Sequence, residues 1–116
     1  SLGKNISRED EISKIMNDLK NLSINIEVPI IITSQLKREL ETRTNKRPML
    51  SDIRESEVIE NRSDLIAFIY RDEYYNPETD ERGITEIIVT KQRNGPVGTV
   101  RLLFEPQYTR FRNLAI

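Results

Sequence analysis

Apolar residues recur at three- and four-residue spacing from Ile12 through Ile15, Met16, Leu19 and Leu22 to Ile26. That period predicts a helix with one stripe turned to a core. Ser7 stands before it as a natural N-cap, and Glu9, Asp10 and Glu11 fill the first turn, where the helix dipole favours acids. Pro29 to Ser34 is then apolar on consecutive, mostly β-branched residues, the pattern of a strand covered on both faces. A short helical turn is expected near Lys37–Thr42. Ser51 is placed to cap a short helix over Asp52 to Glu60. Asp64 to Tyr70 is nearly continuous apolar and reads as a second buried strand. Arg71 to Gly83 is polar, contains Asn76-Pro77, and reads as a mobile loop with a solvated acidic surface. Ile84–Thr90 and Thr99–Glu105 flank Asn94-Gly95-Pro96 with Gly98, the pattern of an antiparallel hairpin. Tyr108 to Phe111 adds a short last strand.

The expected fold class is therefore α/β: a helix, two parallel central strands, and an antiparallel hairpin at the edge of a mixed sheet. Ser1 to Ile6 reads as a lead-in, with a cloning origin open for Ser1-Leu2, and residues 7–116 as one body. No internal repeat or low-complexity stretch interrupts it.

Composition narrows the chemistry. The chain has 116 residues, enough for one core. It has no cysteine and no histidine, which excludes disulfides, thiolate metal sites and Ser-His-Asp hydrolysis. No metal site is expected. The longest apolar run, Val28 to Ile32, falls far short of the ~20 residues that span a bilayer. No membrane partner is expected, and a cytoplasmic setting is the default. The net charge of −1 hides an uneven distribution. Lys37 to Arg47 carries five cations against Glu39 and Glu41, and Lys91 to Arg112 carries five against Glu105. A basic stripe on one face is compatible with this.

Three constellations stand out. Gln35 follows the first buried strand, where α/β sheets bind ligands, and a Gln there can orient water or sense a phosphate oxygen. A polar strand end explains it as well. Arg47 to Ser56 joins a basic loop to a helix start, a way to hold a phosphate backbone or merely an ordinary surface helix. Lys91 and Arg93 are separated by one residue just before a tight turn, so both are expected to project from a hairpin tip. A projecting Arg suits an arginine finger, and strand-end cations paired with surface acids are the plain alternative. No GxxxxGK[ST] or GxGxxG segment is present, so a self-contained nucleotide site is not expected.

Five segments, in order, carry a resemblance: Ser34-Gln35-Leu36 with Arg38; Arg47-Pro48 with Leu50-Ser51-Asp52-Ile53-Arg54-Glu55-Ser56; Tyr70-Arg71-Asp72-Glu73-Tyr74-Tyr75; Lys91 to Pro96 with Gly98; and Tyr108-Thr109-Arg110-Phe111. From about Arg8 to Asn113 the chain resembles the DnaB-type replicative DNA helicases, specifically the last part of their RecA-like motor domain. The resemblance implies a partial RecA-like (P-loop NTPase type) fold lacking the P-loop half. It implies a homohexameric ring in the intact protein, with ATP and Mg²⁺ at subunit interfaces. Such a ring moves 5′ to 3′ on single-stranded DNA at the replication fork of the nucleoid, with primase and a helicase loader as partners.

By position, Gln35 matches the family's γ-phosphate sensor. Lys91 and Arg93 match the pair that reaches the neighbour's ATP, with Arg93 as the finger. Arg54 and Glu55 fall in the DNA-contacting loop, and Glu57 stands where the family has Gly. A carboxylate beside a phosphate is repulsive, and its Cβ restricts the backbone. Glu60-Asn61-Arg62-Ser63-Asp64 replaces a more usual Glu-Gln-Asp-Ala-Asp. The Walker residues are not in this chain, so alone it is expected to be an inactive fragment needing no cofactor. A stand-alone nucleic-acid or subunit-binding module, and a RecA-like ATPase of another kind, are the alternatives. The Arg47–Ser56 run argues for the replicative helicase over other RecA-like rings.

Overall fold

The computed structural model describes residues 7–114, so the lead-in at 1–6 lies outside the described residues. Helix α1 (Arg8–Ile26) starts where its cap predicts, with Ser7 Oγ accepting the Asp10 N–H at 3.1 Å. It ends at Glu27, whose left-handed φ of 55° lets the Glu27 and Val28 amides turn back to the Ile24 and Ser23 carbonyls. The apolar stripe is only partly covered. Ile12, Met16 and Leu19 are half-buried, while Ile15, Leu22 and Ile26 are exposed.

An extended strap, residues 28–37, follows. The strand expected at Pro29–Ser34 does not form. Its residues pair with no strand among those described, and Ile31 is 91% exposed. A strand exists only through its neighbours' hydrogen bonds, and the parallel neighbours implied by the apolar run are not among the described residues. Two 3₁₀ turns come next, Arg38–Thr42 near the expected position and Leu50–Asp52. The helix expected over Asp52–Glu60 is thereby split. Ile53 is extended, Glu55 takes a left-handed φ of 53°, and helix α2 (Ser56–Arg62) begins only after them. Helix α1 packs on α2.

The sheet is a four-stranded meander, β1 (Leu65–Tyr70), β2 (Ile84–Gln92), β3 (Gly98–Glu105) and β4 (Arg110–Asn113), and each of its pairings is antiparallel. The expected parallel pairing of Pro29–Ser34 with Asp64–Tyr70 is not found among the described residues, because the first segment forms no strand, and β1 instead pairs antiparallel to β2. The expectation that β1 is covered on both faces is corrected too. Ile66, Phe68 and Tyr70 point inward, while Leu65 and Ile69 are exposed. Ile53, Ile66 and Phe68 form the core, with Leu36, Leu50, Ile59 and Ile88 packed against them. Burying each such side chain contributes about 1.5–3 kcal/mol. That cluster fastens the strap, the 3₁₀ turn and α2 to one face of the sheet.

The Arg71–Gly83 segment is tethered through Arg71, Asp72, Glu73 and Thr79, while Glu78, Asp80 and Glu81 keep the exposed acidic surface expected of it. It holds one helical turn, α3 (Asp72–Tyr75). Asp72 accepts the Tyr70 hydroxyl at 2.7 Å and the Thr79 hydroxyl, while Glu73 pairs with Arg71 at 2.8 Å. Arg71 in turn lies 4.4 Å over the Phe104 ring. Burial and the Asp72 carboxylate push the Tyr70 phenol up to about 12. The Thr79 and Tyr70 hydroxyls hold Asp72 below the ordinary carboxylate range.

Candidate functional site

Gln35 sits on the extended strap and faces away from the core, because its neighbour Leu36 packs inward. The strap is fixed one residue later, where the Lys37 amide donates to the Asp52 carbonyl at 2.7 Å. This bond lays Gln35 alongside the turn that carries Arg54 and Glu55. The three line one open cleft of about 560 Å³, with Arg8, Lys37 and Arg38 adding positive charge. Arg54 is exposed. Glu55 is mostly covered and its carboxylate meets Arg8 Nε at 3.1 Å, so it is anchored to the start of α1.

Glu57 is not part of this cleft's lining. It is exposed, in the first turn of α2, where a carboxylate complements the helix dipole. The backbone constraint expected at Glu57 instead falls two residues earlier, on the left-handed Glu55. Left-handed backbone at a non-glycine residue costs free energy and recurs at functional loops.

Lys91 and Arg93 lie at the other end of α2. The β1–β2 ladder slips between Ile66 and Ala67, which face Lys91 and Val89, so Thr90 is the extra residue of a bulge. A bulge re-aims the side chains that follow it. Here both cations fold back toward the chain instead of projecting freely from the hairpin tip. Lys91 Nζ donates to the Glu60 carbonyl, one of the free carbonyls in the last turn of α2. Arg93 donates its amide to the Asp64 carbonyl at 2.9 Å, and its guanidinium meets Asp64 Oδ1 at 2.9 Å. Lys20 of α1 donates to Asp64 Oδ2. The Lys20 ammonium, with Arg93 and Lys91 close by, holds the Asp64 carboxyl below its usual range despite some desolvation.

Sequence spacing missed several of these partners. Arg43 grips the buried Asp52 with both terminal nitrogens, at 2.6 and 3.1 Å, and also donates to the Arg47 carbonyl at 2.8 Å. That one guanidinium gathers the basic loop around the turn preceding Arg54. Arg47 itself pairs with Glu86 at 2.6 Å and stacks 5.3 Å over Tyr70. Nothing in the local pattern distinguished Arg43 from the other loop cations, nor Lys20 from a solvated helix face.

The donor set of the candidate site is cationic and amide, which suits phosphate oxygens. Among the described residues no group of three or more Asp or Glu side chains is placed to hold a metal ion. No helix among the described residues is long and apolar enough to cross a membrane.

The meander sheet carries a cleft lined by Gln35 and several cations at one end of a short helix and two anchored cations at the other, and the solved structures it matches assign it to the RecA-like fold. The fold matches a solved structure described as an ATPase domain over 98% of this chain and 40% of that one, at 47% identity and a TM-score of 0.90. It equally matches a DnaB-like replicative helicase whose structure was described with its interactions with primase, at 48% identity and a TM-score of 0.89, over 97% of this chain and 28% of that one.

The family model of the DnaB-like helicase C-terminal domain matches residues 1–113, and the chain belongs to that family. The replicative DNA helicase DnaB of Geobacillus stearothermophilus is 54% identical over 108 residues, which is 93% of this chain and 24% of the relative. The replicative DNA helicase DnaC of Bacillus subtilis is 53% identical over the same shares. DnaB of Pasteurella multocida is 55% identical over 94% of this chain and 23% of its own length. The chain thus spans about a quarter of the curated relatives it matches.

Proposed function

We propose that this chain is the C-terminal part of the motor of a replicative DNA helicase. In the complete protein, ATP hydrolysed between the subunits of a homohexameric ring drives 5′ to 3′ movement on single-stranded DNA. Gln35 senses the γ-phosphate of ATP held by its own subunit. Arg93, with Lys91, delivers positive charge to ATP held by the neighbour. Arg54 and the turn at Glu55 contact DNA phosphates. Mg²⁺, the Walker residues and the catalytic carboxylate belong to the other half of the motor. The setting is the cytoplasm, at the replication fork, with primase and a helicase loader as partners.

The observation that carries this proposal is the division of the site between the two ends of α2. Gln35, Arg54 and Glu55 share the cleft beside its N-terminus, while Lys91 and Arg93 are anchored around its C-terminal residues and Asp64. One set can serve a subunit's own nucleotide and DNA while the other faces outward to a neighbour. Charge placed in advance against the developing negative charge of phosphoryl transfer is worth about 10³ to 10⁵ in rate.

The test is ATP hydrolysis, with and without single-stranded DNA, by this chain and by the polypeptide extended upstream through a phosphate-binding loop. Turnover by the extended polypeptide alone supports the proposal. An inactive extended polypeptide, alongside tight nucleic-acid binding by this chain, replaces the motor with a binding module.

A further inference from the structure

Asp64 is contacted on every polar atom it offers beyond its own amide. Its carbonyl accepts the Arg93 amide at 2.9 Å, its Oδ1 faces Arg93 Nη1 at 2.9 Å, and its Oδ2 accepts from Lys20. It stands at the entrance to β1, one residue before Leu65, whose ladder partner Gln92 immediately precedes Arg93. The root of the Arg93 side chain is therefore pinned by a backbone bond, and its tip lies in an ion pair, without a hydrogen bond, beside a carboxylate on the same residue. The bulge at Thr90 brings the chain to this point.

The two carboxylate oxygens do different things. Lys20 donates a hydrogen bond to Oδ2, while Oδ1 has no hydrogen-bond partner and meets Arg93 only as an ion pair. When the guanidinium swings from Oδ1 to a phosphate, Lys20 stays on Oδ2, so departure of Arg93 does not leave the carboxylate bare. The pair with Arg93 is also about half exposed on both sides, at 57% and 45%. An ion pair that open is worth at most ~1 kcal/mol, too little to trap the arginine. The arrangement aligns Arg93 without locking it.

Building on Arg93 as the charge that reaches a neighbour's phosphate, we infer that Asp64 is a positioning residue for that arginine, with Lys20 neutralising its carboxylate when the arginine leaves. Asp64 touches no substrate atom in this scheme. It acts through the orientation of the guanidinium, and a small misorientation of a catalytic group is costly, about a hundredfold in rate for ~1 Å.

The experiment is a double-mutant cycle on DNA-stimulated ATP hydrolysis in the complete helicase polypeptide containing this segment. Asp64→Asn keeps the shape and the backbone carbonyl but removes the charge. It is expected to lower kcat about tenfold or more while KM for ATP stays within about twofold, and Asp64→Glu restores part of the loss. Arg93→Ala lowers kcat about a thousandfold, and adding Asp64→Asn to it costs nothing further. Losses that multiply, a kcat unchanged or raised by Asp64→Asn, or a change confined to KM overturn the positioning of Arg93 by Asp64 while leaving the finger intact. Normal turnover of Arg93→Ala removes the finger itself, and the inference with it. Thermal melts of each variant show whether a lost rate is merely lost fold: an Asp64→Asn protein unfolded at the assay temperature, with Asp64→Glu equally unfolded, assigns Asp64 to stability and overturns the inference.

Discussion

Arg43 and Asp52 face each other in a two-pronged ion pair, with Nη1 at 2.6 Å from Oδ1 and Nη2 at 3.1 Å from Oδ2. Asp52 is almost fully buried, and its Oδ2 also accepts the Met49 amide at 2.9 Å. Its carbonyl meanwhile holds the Lys37 amide. One aspartate thereby fixes the strap that bears Gln35, the loop that bears Arg47 and the turn that leads to Arg54. Removing one partner of a buried pair leaves an uncompensated charge. Arg43→Ala is expected to cost about 3 kcal/mol, read by urea unfolding, and to loosen the cleft around Gln35. A loss below about 0.5 kcal/mol would mean the pair is a bystander.

Arg54 is exposed at the lip of the cleft, while the nearby Glu55 is held by Arg8. Arg54→Ala in the complete protein should weaken single-stranded DNA binding and reduce the slope of log affinity against log salt by about 0.7. An unchanged slope assigns Arg54 to structure instead of phosphate contact.

Gln35 is anchored by its neighbours and not through its own amide, since Leu36 is packed and the Lys37 amide is bonded. Gln35→Ala should therefore leave the melting temperature unchanged within error. It should uncouple ATP hydrolysis from unwinding, seen as more ATP consumed per base pair opened. Unimpaired unwinding per ATP excludes the coupling role.

Asp72 supplies a pH prediction. The Thr79 and Tyr70 hydroxyls hold its carboxyl below the ordinary range in the folded chain. A carboxylate lowered on folding stabilises the fold above its unfolded pKa, and that contribution disappears as pH falls through the lowered value. Stability should thus be flat near neutrality and decline below about pH 4. Tyr70→Phe should cost about 1 kcal/mol at neutral pH and shrink the acid decline, measured by melts across pH. An unchanged acid profile would show that this hydroxyl does not favour the charged form.

Much of the architecture was legible in local pattern. Ser7 and the three/four stripe placed α1, the apolar, β-branched runs placed β1 to β3, and the Asn94-Gly95-Pro96 turn placed the hairpin. The failures share a cause: they depend on partners distant in sequence. Pro29–Ser34 has the composition of a central strand, but strand structure needs a paired neighbour. Hydrogen exchange offers a check, since the amides of Ile30 to Thr33 should exchange quickly in this chain and slowly within the complete motor. The left-handed turn at Glu55, which splits the expected helix, is set by packing of Ile53 and the Arg8 contact, with no glycine to announce it. The spacing of Lys91 and Arg93 was visible. Their tethers to Glu60 and Asp64 were not, because a one-residue bulge at Thr90 decides where they point.

The central claim is that Arg93 supplies charge to a phosphate being transferred, and the most direct measurement is single-turnover ATP hydrolysis by the complete helicase carrying Arg93→Ala, with single-stranded DNA present and ATP binding measured separately. The expected result is a rate lowered about a thousandfold with ATP affinity almost unchanged. Turnover at the normal rate, or a loss fully accounted for by weaker ATP binding, would contradict it.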